Sequence, residues 1–461
     1  MFDLSLIVKA YDVRGTVPDQ WDERCAEALG TAFAQLLRQA PDHRDAVLIA
    51  YDMRESSPGL AAAFARGIRG EGLAVIETGL GSTDMLYYAS GVLDLPGAMF
   101  TASHNPARYN GIKMCRAGAR PIGQSSGLAE IRERAQALLD RGEARPAGEP
   151  VGAHERRDLL ADYAAHLRGL VDLSGIRPLK LVIDAGNGMG GYTVPAVLGD
   201  AVLPALPLTI VPLYFELDGT FPNHEANPLD PDNLVDLQVA VRKHGADLGL
   251  AFDGDADRCF VVDERGEPVS PSAITGLVAV RELAKYPGAT IIHNLITSQA
   301  VPEIVREHGG EPLRSRVGHS FIKAEMARTN AVFGGEHSAH YYFRDFWFAD
   351  TGMLAALHLL AALGEQERPL SELACEFERY VSSGEINSTV PDQAGKLAEV
   401  KRVYGAAELD ELDGLTVRFD DGAWVNLRPS NTEPLLRLNV EASDRERMTA
   451  LRDELLALIR G

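Results

Sequence analysis

Asp253, Asp255 and Asp257 stand at alternate positions, with Gly254 and Ala256 between them and Arg258 immediately after. Carboxylates this close repel one another strongly unless a cation sits among them. An all-oxygen donor set suits a hard divalent cation. The small intervening residues let the loop wrap around an ion. Apolar runs at 247–252 and 259–262 flank the motif, so it reads as a loop at a strand end. A calcium loop of the EF-hand type shares the D-x-D-x-D spacing, and Glu264 stands at its twelfth place. Yet Arg258 replaces the glycine such a loop needs at its sixth place, and strand residues replace its helices. A solvated acidic turn is the plain alternative.

A second stretch, Thr101-Ala102-Ser103-His104-Asn105-Pro106, supplies what the first lacks. A serine hydroxyl is a weak nucleophile at neutral pH and needs activation. The G-x-S-x-G elbow of acyl-transfer hydrolases is absent around Ser103. A serine, a histidine and a metal clamp fit phosphoryl transfer better. Asn105-Pro106 marks a turn after an apolar run at 98–101, which exposes Ser103 at the carboxyl end of a strand, where α/β folds place ligands. His104 is either a satisfied loop residue or a general acid/base. Lys113 and Arg14 are either solvated charges or stabilisers of a transferring phosphoryl group.

Three further stretches carry chemistry. Arg428-Pro429-Ser430-Asn431-Thr432-Glu433-Pro434 combines a guanidinium, two hydroxyls and an amide in a turn bracketed by prolines. Backbone N–H groups in such a turn make an anion nest, and arginine adds a bidentate fork. Gly334-Gly335-Glu336-His337-Ser338-Ala339-His340 places a carboxylate beside hydroxyl and imidazole groups, a set suited to vicinal sugar hydroxyls. Gly186-x-Gly188-x-x-Gly191 matches the dinucleotide fingerprint, with Asp200 or Glu216 as the ribose acid. Pro204, Pro207 and Pro212 interrupt the next strand-like run, so no clean βαβ unit is expected there and a nicotinamide or flavin site is disfavoured.

Alternating strands and helices must position these groups. Short apolar runs at 46–50, 73–76 and 98–101 alternate with turns and an alanine-rich helical stretch at 59–69. The alternation restarts at 179–183 and again at 290–292, the latter leading to a helix over 299–308. Such alternation indicates βαβ units. The stretch 141–152, with two prolines, reads as a linker, and 265–271 lies near a second boundary. The end differs: strands at 415–419, 423–427 and 435–440 precede a helix at 445–459, the pattern of a small α+β domain with an antiparallel sheet.

The chain has 461 residues, 46% hydrophobic and 24% charged, ordinary for a globular protein of roughly three or four domains. Its net charge of −21 argues against nucleic acid as a partner. A polyanion that handles phosphate must concentrate its cations in one place. The cysteines at 25, 115, 259 and 375 form no C-x-x-C pair, so reduced thiols are expected. No signal peptide is visible, and the longest apolar run, near 353–363, contains His358 and is too short for a bilayer. A cytoplasmic protein without membrane partners is expected.

Together the motifs resemble those of the phosphohexomutase superfamily, phosphomannomutase/phosphoglucomutase type. The likeness covers essentially the whole chain in the family's order: TASHNP (101–106), DGDADR (253–258), GEHSAH (335–340) and RPSNTEP (428–434). It implies three similar mixed α/β domains and a C-terminal α+β lid domain, heart-shaped around a central cleft. The expected domains are 1–147 with the phosphoserine loop, 148–258 with the metal loop, 259–369 with the sugar-specificity loop and 370–461 with the phosphate loop. It implies interconversion of hexose 1-phosphate and hexose 6-phosphate through a phosphorylated Ser103 and a hexose 1,6-bisphosphate that also serves as activator. Mg²⁺ would be held by Ser103, as its phosphate, and by Asp253, Asp255 and Asp257. Ser103, His104, Arg14, Lys113 and Arg258 would be catalytic. Tyr11, His319, Glu336, Ser338, His340, Arg428, Ser430, Asn431 and Thr432 would bind a small phosphosugar, in a monomer or homodimer. The chain departs from the bifunctional members at His337 and Ala339, where methionine and glycine are usual, and has no lysine within 293–298. Phosphoglucosamine mutase and a non-catalytic sugar-phosphate or metal-binding module are the rival readings.

Overall fold

The structure is a computed structural model that describes residues 2–145, 149, 151–430 and 435–461. Its contacts divide into two compact units, one of residues 1–269 with 338–371 and one of residues 270–337 with 372–461.

The first unit contains two mixed sheets. In the first, Val13–Thr16, Tyr109–Arg116, Gly97–Phe100, Ala46–Tyr51, Ala74–Leu80 and His154–Arg156 lie side by side in that order. Ala46–Tyr51 is the parallel centre, and Tyr109–Arg116 runs antiparallel between Val13–Thr16 and Gly97–Phe100. The helices Glu23–Gln39 and Ser57–Gly70 pack against one another and bury apolar faces built from alanine, leucine and phenylalanine. The sheet does not stop at 147, because His154–Arg156 returns as its edge strand beside Ala74–Leu80.

The second sheet has the order Pro268–Val269, Cys259–Asp263, Leu248–Phe252, Leu179–Asp184, Leu208–Leu213. A division at 258 would cut this sheet, since Leu248–Phe252 and Cys259–Asp263 form an antiparallel hairpin around the aspartate loop. The expectation of a broken βαβ unit is corrected: Leu179–Asp184, the helix Gly190–Val197 and Leu208–Leu213 form a parallel pair with its crossover helix. Pro212 is tolerated because Leu208–Leu213 is an edge strand, where a missing N–H is harmless. The hairpin Tyr341–Phe343/Ala349–Asp350 and the buried helix Gly352–Gly364 complete this unit.

In the second unit, Glu311–Ser315, Thr290–Asn294 and Phe333–Gly335 are parallel neighbours, with Thr290–Asn294 in the middle. Its remainder is an antiparallel sheet in the order Val381–Thr389, Leu435–Ala442, Trp424–Pro429, Leu415–Arg418, Glu408–Asp410. The helix Arg445–Arg460 covers this sheet with Met448, Leu451, Leu455 and Ile459. The α/β character and the α+β end thus match the alternation read in the sequence. Cys25, Cys115 and Cys259 are buried and Cys375 is exposed, none of them in a disulfide. Among the described residues no helix is long and apolar enough to cross a membrane.

Candidate active site

Ser103 lies in the loop that leaves the strand Gly97–Phe100. Its backbone has φ +50°, the left-handed region disfavoured for any residue with a Cβ. Its N–H donates to Thr101 Oγ1 at 2.9 Å. Its buried hydroxyl donates to Asp253 Oδ2 at 2.8 Å and lies 3.2 Å from His104 Nδ1. A serine and an aspartate 150 positions apart therefore meet at hydrogen-bond distance.

The two loops are pressed together by missing side chains. A Cβ on Gly254 would lie 2.4 Å from Ser103 O, and one on Gly188 would lie 2.7 Å from Gly254 O. The glycines at 186–191 thus permit close approach of neighbouring backbones, a use that asks for no side chain at Gly188 and Gly191.

Asp253, Asp255 and Asp257 are buried, and one oxygen of each lies within 4.8 Å of the others. Lys113 Nζ donates to Asp255 Oδ2 and Asp257 Oδ2, both at 2.6 Å, and Thr83 Oγ1 donates to Asp255 Oδ2 at 2.5 Å. Asp255 Oδ1 and Asp257 Oδ1 are buried with no hydrogen-bond donor. Two orphaned carboxylate oxygens beside a third carboxylate are what a hard cation would satisfy, so the residues present fit Mg²⁺. Glu264 is committed elsewhere, accepting from Ser371 N and Oγ, which removes the EF-hand reading.

Cations surround this centre. Arg258 pairs with Asp253 Oδ2 at 2.9 Å. Arg14 faces the same side of the sheet as Lys113, because Arg14 is opposite Gly111 in the antiparallel register. It donates to Asn105 Oδ1 at 2.9 Å and pairs with Asp12. Tyr11, half-buried, precedes that strand. Burial works against the charge of Lys113, but Asp255 and Asp257 outweigh it and hold the ammonium well above its ordinary range. Burial, then Arg258 and Arg14, push His104 well below the imidazole range, so it is neutral. Burial pushes Asp253 up, opposed by Arg258 and reinforced by Asp257 and Asp255. Burial likewise acts on Asp255, but Lys113 prevails and holds it below the carboxylate range. His340 contributes Nε2 at 3.7 Å from Asp257 Oδ1, and its Nδ1 lies 3.1 Å from Ser338 Oγ.

The second unit holds the remaining expected residues. Glu336 is buried, its Oε1 accepting from Asn294 Nδ2 at 3.2 Å and from Gly318 N at 3.1 Å. That contact fixes the turn from which His319 starts the helix His319–Thr329. His337 Nδ1 lies 3.3 Å from Ser272 Oγ. Arg428 donates to Glu385 Oε2 at 3.3 Å, and Ser430 N donates to Leu435 O at 2.8 Å. Asn431 and Thr432 lie outside the described residues.

Two groups escaped sequence reasoning. Thr83 donates its hydroxyl to the Asp255 carboxylate and its N–H to Asp255 O, and Arg54 is buried against the Ser103 loop with Asp52 as its counter-charge. The sequence signal for Arg54 is a pair of opposite charges two positions apart, Asp52-x-Arg54, directly after an apolar strand.

Family models described as phosphoglucomutase/phosphomannomutase alpha/beta/alpha domains I, II and III match residues 5–141, 161–266 and 270–380, and the C-terminal domain of the same family matches 385–458. A protein of Xanthomonas campestris pv. campestris named phosphohexose mutases is 42% identical over 460 residues, covering 98% of this chain and 99% of that one. A phosphomannomutase of Salmonella typhimurium is 39% identical, covering 98% of each chain. A crystal structure of a phosphoglucomutase/phosphomannomutase family protein from Burkholderia thailandensis superposes with a TM-score of 0.88 at 34% identity, covering 100% of this chain and 98% of that one. With all four domain models in order and relatives this similar over nearly its full length, the chain belongs to the phosphoglucomutase/phosphomannomutase family.

Proposed function

We propose that this family member interconverts the 1- and 6-phosphates of mannose and glucose, with Ser103 carrying the transferred phosphoryl group. The observation that carries the reading is the buried Ser103 hydroxyl, 2.8 Å from Asp253 Oδ2 and beside the orphaned oxygens of Asp255 and Asp257. The names of the relatives support the mannose reading; phosphoglucomutase enters through the family description. Mg²⁺, held by Asp253, Asp255, Asp257 and an oxygen of phospho-Ser103, would neutralise charge on the transferring group.

In the forward half-reaction the P–O bond to Ser103 breaks and a P–O bond to the free sugar hydroxyl forms. The proton of that hydroxyl leaves to a base, and the Ser103 oxygen takes one up. We assign the holding and moving of those protons to neutral His104, 3.2 Å from Ser103 Oγ, and to Lys113, which donates to Asp255. Arg258 and Arg14 stabilise the anionic group. The hexose 1,6-bisphosphate so formed turns over in the site and returns its other phosphate to Ser103. Tyr11, Glu336, Ser338, His319 and His340 would bind the sugar, and Arg428, Ser430, Asn431 and Thr432 would hold the phosphate that is not reacting. Glucose and mannose differ only at C2, so a site gripping O3 and O4 accepts both.

The test is a mutase assay with Mg²⁺ and a trace of glucose 1,6-bisphosphate, comparing kcat/KM for mannose, glucose and glucosamine 1-phosphates. Comparable values for mannose and glucose are expected. A strong preference for glucosamine would replace the substrate assignment and leave the mechanism standing. Ser103→Ala is expected to abolish turnover while substrate still binds by calorimetry. An unchanged rate in that variant would end the phosphoserine reading.

A further inference from the structure

Arg54 is 1% exposed and spends every N–H of its guanidinium. Nε donates to Asp52 Oδ2 at 3.2 Å. Nη1 donates to Pro106 O and Tyr109 O, both at 3.0 Å. Nη2 donates to Ser103 O at 2.8 Å and Asn105 O at 2.7 Å. Four acceptors are thus backbone carbonyls of one loop, and that loop carries Ser103. None of the bonds reaches the Ser103 hydroxyl. The guanidinium is itself immobilised. Asp52, fully buried, also accepts from Arg54 N and from Ser57 Oγ. The Phe221 ring lies 5.0 Å from the guanidinium carbon, and a Cβ on Gly219 would come within 2.6 Å of Arg54 Cα.

The left-handed backbone of Ser103 costs about 1 kcal/mol and persists only where the surroundings over-determine it. Its carbonyl accepts from Arg54, and a Cβ on Gly254 would lie 2.4 Å from it. From these contacts we propose that Arg54 is a positioning residue: its planar fork fixes the 103–109 loop in the one conformation that aims the Ser103 hydroxyl at the aspartate triad. The proposal rests on reading Ser103 as the phosphoryl carrier. Lysine keeps the charge, but a single ammonium with three donors cannot gather four carbonyls and a carboxylate.

The full-length Arg54→Lys protein tests this, with Mg²⁺ and glucose 1,6-bisphosphate present. The readouts are kcat, KM, Tm and phosphate on Ser103 by intact mass. The expected result is a folded protein with KM within about twofold of wild type and kcat lower by about 100-fold, with slow loading of Ser103. Asp52→Asn, which keeps the shape and removes the counter-charge, is the second variant should lysine not be accommodated. It is expected to lower kcat by about tenfold, again without moving KM. A folded Arg54→Lys protein with wild-type kcat would overturn the proposal, as would losses of kcat and KM that simply track Tm in both variants. Wild-type protein that takes up no phosphate on Ser103 would instead defeat the carrier reading on which the proposal stands. Normal loading in wild type and in Arg54→Lys alike, with equal kcat, would defeat the proposal alone.

Discussion

At the scale of single residues, the site is set as much by what is missing as by what is present. Gly254 separates two aspartates, and the absence of its side chain lets Ser103 O approach the metal loop. Replacing it by alanine would place a carbon 2.4 Å from a carbonyl that Arg54 holds rigidly. The Gly254→Ala protein is therefore expected to lose turnover by at least about 100-fold and to bind Mg²⁺ more weakly. Kinetics and a calorimetric Mg²⁺ titration check both, and wild-type values in each would show that the loops are not tightly apposed. Residue types made the aspartates and Ser103 legible, because few arrangements tolerate carboxylates so close. Thr83 was not legible, since a lone threonine 172 positions from Asp255 carries no mark of its partner.

At the scale of elements, strand register decides which cations share a face. Arg14 and Lys113 share a face because Val13–Thr16 pairs antiparallel with Tyr109–Arg116. The apolar parallel strands were visible in the sequence, whereas Val13–Thr16, with an arginine and a glycine in four residues, gave no periodic signal. The strand Thr290–Asn294 shows how an element sets a titration. It is flanked by parallel neighbours on both edges, and burial pushes the His293 imidazole down to about 4. His293 is neutral in the folded chain, while in the unfolded chain it titrates near 6.5. The unfolded state binds the extra proton between about 6.5 and 4, so its contribution is complete above that window and is lost as pH falls through it. A loss on the order of 1 kcal/mol for each pH unit below about 6.5 is expected from this residue. His293→Asn should reduce the loss between pH 7.5 and pH 5.5, as read from urea midpoints. Equal losses in both proteins would assign the acid sensitivity elsewhere.

For the whole molecule, a net charge of −21 coexists with a local gathering of Arg14, Arg54, Lys113 and Arg258 around Ser103 and the aspartates. All of these residues lie in the first compact unit. A ligand that binds only the folded form stabilises it by about 2.7 kcal/mol at a hundredfold excess over Kd. Saturating Mg²⁺ should therefore raise the protein's thermal transition and add protection to the amides around Asp253, Asp255 and Asp257. Calorimetry with hydrogen exchange, with and without EDTA, reads this directly. An unmoved transition, or added protection only away from these residues, would place Mg²⁺ elsewhere than on Asp253, Asp255 and Asp257.

By itself the sequence determined the apolar strands and most helices, through hydrophobic period, and the chemistry, through groups that are costly to bring together without purpose. It determined that a serine loop and an acidic loop exist and that both follow apolar strands. Only the tertiary structure decided that the two loops touch, that Lys113 bridges two of the aspartates and that Arg54 binds the carbonyls of the serine loop. These are contacts across 49 to 150 positions. Local pattern reports on neighbours three or four residues away, or two in a strand, and is silent about which distant backbone a buried donor will meet.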